Sequence, residues 1–242
     1  MDQVFVDKME AGMGELGISL DDGKMEQFYQ YYQILTEWNQ VMNLTAITEM
    51  GEVVSKHFVD SLSLVRVADK LGEGQARVID VGTGAGFPGI PLKIVIPGLR
   101  VTLLDSLNKR IKFLDEVAGT LGLDQVVTVH GRAEDLGRNP DFREQFDYCV
   151  SRAVANTATL SEYCLPFVKK GGCFVAYKSG SVGEELEQGR KAVKILGGEV
   201  EREDHFHLAS ADADRTLVVV RKKEQTPKRF PRKAGVPAKE PI

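Results

Sequence analysis

Asp80-Val81-Gly82-Thr83-Gly84-Ala85-Gly86-Phe87-Pro88-Gly89 is the stretch of this chain best suited to hold a polar ligand. The apolar run Val78-Ile79-Asp80-Val81 reads as a short buried strand, and the glycines follow where it should end. Glycine lacks a Cβ, so this loop permits a sharp turn and a close backbone approach to a ligand. Pro88 and Pro91 flank a helix start, where a missing N–H has no intrahelical partner to lose. The apolar run over 90–96 then stops at Pro97-Gly98. Strand, glycine turn and helix N-terminus together make a pocket for a polar cofactor.

The glycine register narrows that cofactor. Counted from Gly82, the dinucleotide fingerprint needs a glycine at position 87, which is Phe87. Counted from Gly84 it fits through Gly86 and Gly89, but with a proline inside the turn. Asp80-x-Gly82-x-Gly84-x-Gly86 resembles instead the first motif of the S-adenosylmethionine-dependent methyltransferases, favouring a methyl donor over NAD. Asp105 ends a second strand nineteen positions after Gly86, where a carboxylate accepts the ribose hydroxyls of a nucleoside through charge-assisted bonds. Past a third strand, Gly131-Arg132-Ala133-Glu134-Asp135 offers a small residue beside an adenine and a carboxylate for its exocyclic amine. Past a fourth, Ser151-Arg152-Ala153 places a guanidinium fork suited to a methionyl carboxylate or an RNA phosphate. Four successive strand ends therefore carry polar groups to one edge of the sheet.

The elements that must position these groups form an α/β pattern. Residues 2–72 read as helical. Ser19, with Asp22 three residues on, resembles a capping box, and Met25, Phe28, Tyr29, Tyr32, Leu35 and Trp38 recur at helical spacing. That face packs on a core, or places some aromatics and Asn39 at the rim of a cleft. Asn43-Leu44-Thr45 has the form of a glycosylation sequon, without meaning in a cytosolic protein. A further helical stretch runs from Val53 through Phe58 into Asp60-Ser61-Leu62, with His57 as a capping or packing residue. Leu71-Gly72-Glu73-Gly74 is a turn. Strands then alternate with helices: strands over 101–105, 125–130, 146–150 and 173–177, and helices over 108–121, 156–168 and 183–196. Strands over 199–208 and 215–220 close the pattern around a short polar turn. Connections through helices imply five parallel strands with right-handed crossovers, and the short turn implies an antiparallel hairpin. The expected division is a helical extension over 1–72, a Rossmann-like S-adenosylmethionine-binding methyltransferase domain over 73–222, and a basic tail over 223–242.

Composition bounds the rest. With 242 residues, 43% of them hydrophobic, the chain can bury one large core. A net charge of −4 excludes a uniformly basic surface but permits local patches. Cys149, Cys164 and Cys173 lie in or near apolar runs without metal-ligand spacing, which predicts buried free thiols and no metal site. The start lacks the basic and long apolar regions of a signal peptide, and no apolar run nears the ~20 residues of a membrane span. A soluble, cytoplasmic protein is expected, with no membrane contact and no obligate protein partner. In the tail, Lys228-Arg229-Phe230-Pro231-Arg232-Lys233-Ala234-Gly235 gathers cations among helix-breaking residues. It reads either as a solvated tail or as a mobile arm for a polyanion.

The acceptor is narrowed by what is missing. Exocyclic amine methylation typically goes with an Asn/Asp-Pro-Pro-Tyr/Phe motif, whereas this chain has Ser151-Arg152-Ala153-Val154 after the fourth strand. Pyrimidine C5 methylation needs a cysteine nucleophile, and Cys149 sits inside an apolar strand. A lone-pair acceptor such as guanine N7 needs no base. Trp38-Asn39 with Asn43-Leu44-Thr45, His57 to Leu62, Asp80 to Pro91, Leu104-Asp105-Ser106 with Lys109-Arg110, and Gly131-Arg132-Ala133-Glu134 resemble the ribosomal RNA small subunit methyltransferase G family, also called glucose-inhibited division protein B. The tail over 226–235 is similar to that of Gram-positive members. The resemblance implies S-adenosylmethionine as cofactor, 7-methylguanosine in 16S ribosomal RNA as product, and Gly82, Phe87, Asp105, Ser106, Leu107, Ala133, Glu134 and Arg152 as cofactor contacts. From charge and position, Lys178, Lys228, Arg229, Arg232 and Lys233 are the candidate RNA contacts. A small-molecule methyltransferase, a non-catalytic RNA-binding assembly factor and an NAD enzyme remain the alternatives at this point.

Overall fold

The computed structural model describes residues 1–68, 71–72, 75–152 and 155–242, so Glu73 and Gly74 of the expected boundary turn, and Ala153 and Val154, lie outside the described residues. Its centre is one sheet of seven strands among the described residues: β1 (Arg77–Val81), β2 (Arg100–Asp105), β3 (Val126–His130), β4 (Phe146–Arg152), β5 (Val168–Ser179), β6 (Gly198–Leu208) and β7 (Ala213–Lys222), ordered β3-β2-β1-β4-β5-β7-β6. β1 to β5 pair in parallel, and β7 runs antiparallel to both β5 and β6. The five parallel strands and terminal hairpin read from the sequence are therefore present, and β5 is longer than expected at both ends.

Alternation along the strands assigns each residue a face. Val78, Leu103, Val150, Val175 and Val219 point into one apolar cluster, and their neighbours Ile79, Leu104, Cys149, Phe174 and Val218 into another. The first cluster is covered by α1 (Gln3–Glu15), α2 (Asp22–Met42), the helical run of α3 (Met50–Val53), a π-helical turn (Val54–Val59) and α4 (Asp60–Leu62), and by α5 (Gly89–Val95) and α6 (Asn108–Thr120). The second lies beneath α7 (Ala133–Leu136), α8 (Thr157–Cys164) and α9 (Gly183–Ile195). With helices on both faces the parallel strands are buried almost continuously, as their Val/Ile/Leu content requires. All three cysteines are buried free thiols. Among the described residues no helix is long and apolar enough to cross a membrane.

Two expectations in α2 change. Its N-cap is Asp21, whose carboxylate accepts from Lys24 N–H at 2.8 Å; Ser19 lies two residues too early to reach the third helical amide. Beside the expected Phe28, the fully buried aromatic is Tyr31 rather than Tyr29 or Tyr32, and its hydroxyl donates to Ala85 O while its ring stacks on Phe58. Gly86 faces that hydroxyl: at φ +95°, a Cβ there would come 2.6 Å from Tyr31 Oη, so the loop and helix interlock only through glycine.

The tail departs most from its reading. It is folded against the body, ending in a short helix, α10 (Val236–Lys239). Phe230 is buried in the second cluster, a contribution of about 1.5–3 kcal/mol. Arg143 donates to Thr226 O and Phe230 O, and Arg138 to Pro231 O. Lys222, buried beneath, donates to Thr226 Oγ1 and Leu165 O and pairs with Glu144. Burial lowers the Lys222 ammonium to about 8, against the attraction of Glu144. The prolines and glycine exclude a long helix, as expected, yet they leave backbone carbonyls free for these cations.

Candidate active site

Two cavities, of about 320 and 440 Å³, open beside each other at the carboxyl ends of the parallel strands and share Gly82, Asp105 and Ser106. This is the place where ligands sit in open parallel sheets. Behind them, buried Asp80 organises the glycine loop: its Oδ2 accepts from Thr83 Oγ1 (2.7 Å) and Gly89 N–H (2.9 Å). Among the described residues its Oδ1 has no partner, and burial raises the carboxyl to about 6 despite those two bonds.

The first cavity is floored by Val81 of β1 and Gly82 just after it, Leu104 and Asp105 from β2, and the stretch Gly131 to Glu134 after β3. Asp105 is almost fully buried and accepts Leu107 N–H at Oδ1, and Gly84 N–H and Arg110 Nη1 at Oδ2. A carboxylate has about four acceptor positions, so one stays open, and Arg110, a third exposed, is the partner able to swing aside. Leu107 itself is exposed and outside both cavities; its amide is what it contributes. Glu134 Oε1 accepts Gly235 N–H at 2.8 Å. Gly235 and Tyr163 thus complete a wall that sequence reading missed. Nothing near position 235 signals this, because the contact spans a hundred residues of chain.

The second cavity is lined by the glycine loop and Phe87 on one side and by Leu44, Thr45, His57 and Arg152 on the other. Arg152, ending β4, is held from four directions. Its Nη1 donates to Asp60 Oδ2 (2.9 Å) and Lys56 O (3.1 Å), its Nη2 to His57 Nδ1 (3.2 Å), and its guanidinium lies 5.1 Å from the Phe87 ring centroid. Buried Asp60 accepts Arg215 Nε at 2.6 Å as well. His57 stacks on Phe87 at 4.6 Å. Burial, with the adjacent Arg152 charge, lowers the imidazole to about 4, so it is neutral at physiological pH. His57 therefore packs, one of the two roles expected of it, and also joins the cavity wall. Asn39 Oδ1 accepts Thr45 N–H at 2.9 Å, so the motif resembling a sequon is a fixed loop over the cleft.

Among the expected RNA-facing cations, Lys178 is engaged with Glu185 Oε1 (2.7 Å) and Ala155 O, and Arg232 with fully buried Glu162 (2.6 Å). Both are structural ties within the molecule. Lys228, Arg229 and Lys233 are exposed.

The family model described as rRNA small subunit methyltransferase G (GidB) matches residues 24–218. A ribosomal RNA small subunit methyltransferase G from Lachnoclostridium phytofermentans is 54% identical over 96% of this chain and 95% of its own. One from Alkaliphilus oremlandii is 52% identical over 98% of each. Among solved structures, a protein assigned as a sarcosine dimethylglycine methyltransferase from Galdieria sulphuraria superposes with a TM-score of 0.57 at 12% identity, over 84% of this chain and 99% of that one, a likeness of fold alone. By the sequence match along nearly its whole length, this chain belongs to the rRNA small subunit methyltransferase G family.

Proposed function

We propose that this chain transfers the methyl group of S-adenosylmethionine to N7 of a guanine in 16S ribosomal RNA. What supports this most is the convergence of Gly82, Asp105, Glu134 and Arg152 from separate strand ends onto two cavities that meet, in a chain of this family. The donor set fits the cofactor: two buried carboxylates at one end and a fixed guanidinium at the other suit a nucleoside bearing an amino-acid tail. Asp105 takes the ribose hydroxyls, positioned by the Leu107 amide and flanked by Ser106. Glu134 turns Oε2 to the adenine amine, with Ala133 leaving room for the ring, and Gly82 and Phe87 form the wall toward Arg152 and the methionyl end.

When bound, the cofactor supplies an electrophilic methyl group whose S–C bond breaks as the bond to N7 forms, moving the positive charge onto the guanine ring. N7 carries a lone pair and no proton, so the protein's part is orientation, worth on the order of 7–11 kcal/mol. His57 is not a base here, since Nδ1 already accepts from Arg152. A further depression continues from the second cavity across His57 and Arg152, lined by Lys56, Lys178 and Arg215. Those three cations are each paired with a carboxylate, so the charges offered to the phosphates of an RNA are the exposed Lys228, Arg229 and Lys233.

Purified protein with labelled S-adenosylmethionine and small subunits, or the RNA extracted from them, tests this. Mass spectrometry is expected to find one 7-methylguanosine. Tight cofactor binding with no methyl transferred to either substrate would favour an assembly factor instead. Comparing the two substrates decides between free RNA and the particle.

A further inference from the structure

Thr45 has a hydroxyl whose hydrogen-bonding direction is fixed by its surroundings. Arg152 Nη2 can only donate, so His57 Nδ1, 3.2 Å away, must accept. Lys56 O also lies 3.1 Å from Nδ1, but a proton on Nδ1 would face the guanidinium donor to donor at 3.2 Å. With the imidazole neutral, its single proton therefore sits on Nε2 and is donated to Thr45 Oγ1 at 2.9 Å. Ile47 N–H donates to the same oxygen at 3.0 Å. Both lone pairs of Oγ1 are then occupied. Its own O–H is left as a donor, in a residue that lines the second cavity beside the glycine loop.

We infer that Thr45 is a specificity-determining residue whose hydroxyl donates to O6 of the target guanine, with His57 and Arg152 as positioning residues that lock its direction. This rests on the guanine-N7 reading above. The edge of guanine that presents N7 also presents O6, an acceptor, whereas adenine presents N7 beside an amino donor. A hydroxyl able only to donate accepts the first base and repels the second. Such a site discriminates because the wrong base leaves a desolvated donor facing another donor.

The test pairs Thr45→Val, which keeps the shape and removes the hydroxyl, and Thr45→Ser, which keeps it, with small-subunit RNA carrying either guanine or 2-aminopurine at the modified position. 2-Aminopurine keeps N7 and lacks O6. On guanine RNA, Thr45→Val is expected to lose about tenfold in kcat/KM, Thr45→Ser to stay near wild type, and the cofactor Kd to stay unchanged in both. On 2-aminopurine RNA, wild type and Thr45→Val are expected to become equal within about twofold. An equal loss on both RNAs would overturn the inference in favour of packing damage. A weakened cofactor Kd in Thr45→Val would overturn it in favour of a bond to the methionyl carboxylate. If wild type modifies no guanine at N7, the reaction assignment itself fails, a result readable before any variant is made.

Discussion

The two cavities share Gly82, Asp105 and Ser106 but are built by different means. The first stands mainly on β1, β2 and the turn after β3, so most of its floor comes from residues 81–134, and only Tyr163 and Gly235 come from afar. The second joins the glycine loop to a strand end at Arg152 and to Thr45 and His57, which the helical N-terminal region carries across the first apolar face. One is a property of the parallel sheet, found wherever strand ends carry polar residues. The other exists only because a separate set of helices docks against it, and it is the side that would meet the acceptor base. On the proposed reading, the nucleoside end of the cofactor takes the general part of the fold, while its methionyl end and the acceptor base take the particular part.

Breaking the first cavity should have the largest effect. Asp105→Ala removes the acceptor for two loop amides as well as for the ribose, and about a hundredfold loss in cofactor affinity is expected by calorimetry. Unchanged affinity would mean that the carboxylate only holds the loop. Removing residues 226–242 comes next. It strips the Gly235 wall, the Phe230 anchor and the partner of buried Glu162, and a fall in melting temperature of about 10 °C with weakened cofactor binding is expected. An arm used only for RNA would lower RNA affinity and its salt dependence and leave both of those readings alone.

The pH dependence sharpens the contrast between two titrating groups at the cavities, half-buried His57 and buried Asp80. His57 is lowered from its ordinary 6.5 to about 4. Between those values the unfolded chain holds a proton that the native one refuses, so stability falls as pH falls, by up to about 3 kcal/mol. Asp80 is raised from 3.8 to about 6. There the native chain holds the extra proton, so stability falls as pH rises through that window. The two oppose each other between about pH 4 and 6. In denaturant titrations over that range, His57→Phe should make the pH slope of stability more negative than in wild type, and Asp80→Asn more positive. Slopes that move together would refute the assigned environments. The smallest effect is expected for Lys233→Ala: a salt slope of RNA binding reduced by about one, with cofactor affinity untouched.

Much of this was legible in the sequence because it is local. The run Val78-Ile79-Asp80-Val81 and the glycines after it specify a strand and a turn through residue chemistry within ten positions. Alternating apolar strands and amphipathic helices specify a parallel sheet, and Brändén's rule then carries Asp105, Glu134 and Arg152 to one edge without coordinates. What stayed hidden depends on partners far along the chain. Tyr31 rather than Tyr32 joined Phe28 as a buried aromatic, with its hydroxyl bonded to the Ala85 carbonyl of the glycine loop. Arg232 reads as a free cation in the sequence and is bound by Glu162, seventy residues earlier.

The sequence by itself determined the fold class, the methyl-donor loop and the strand-end carboxylates, since periodicity, glycine placement and strand ends are short-range properties of the backbone. Tertiary structure alone decided that the basic tail closes a wall of the first cavity rather than waving free, and that burial beside Arg152 lowers the His57 imidazole to about 4. Burial, ion pairing and tautomer choice depend on which groups are brought within a few ångströms of each other, and no spacing along the chain encodes that distance.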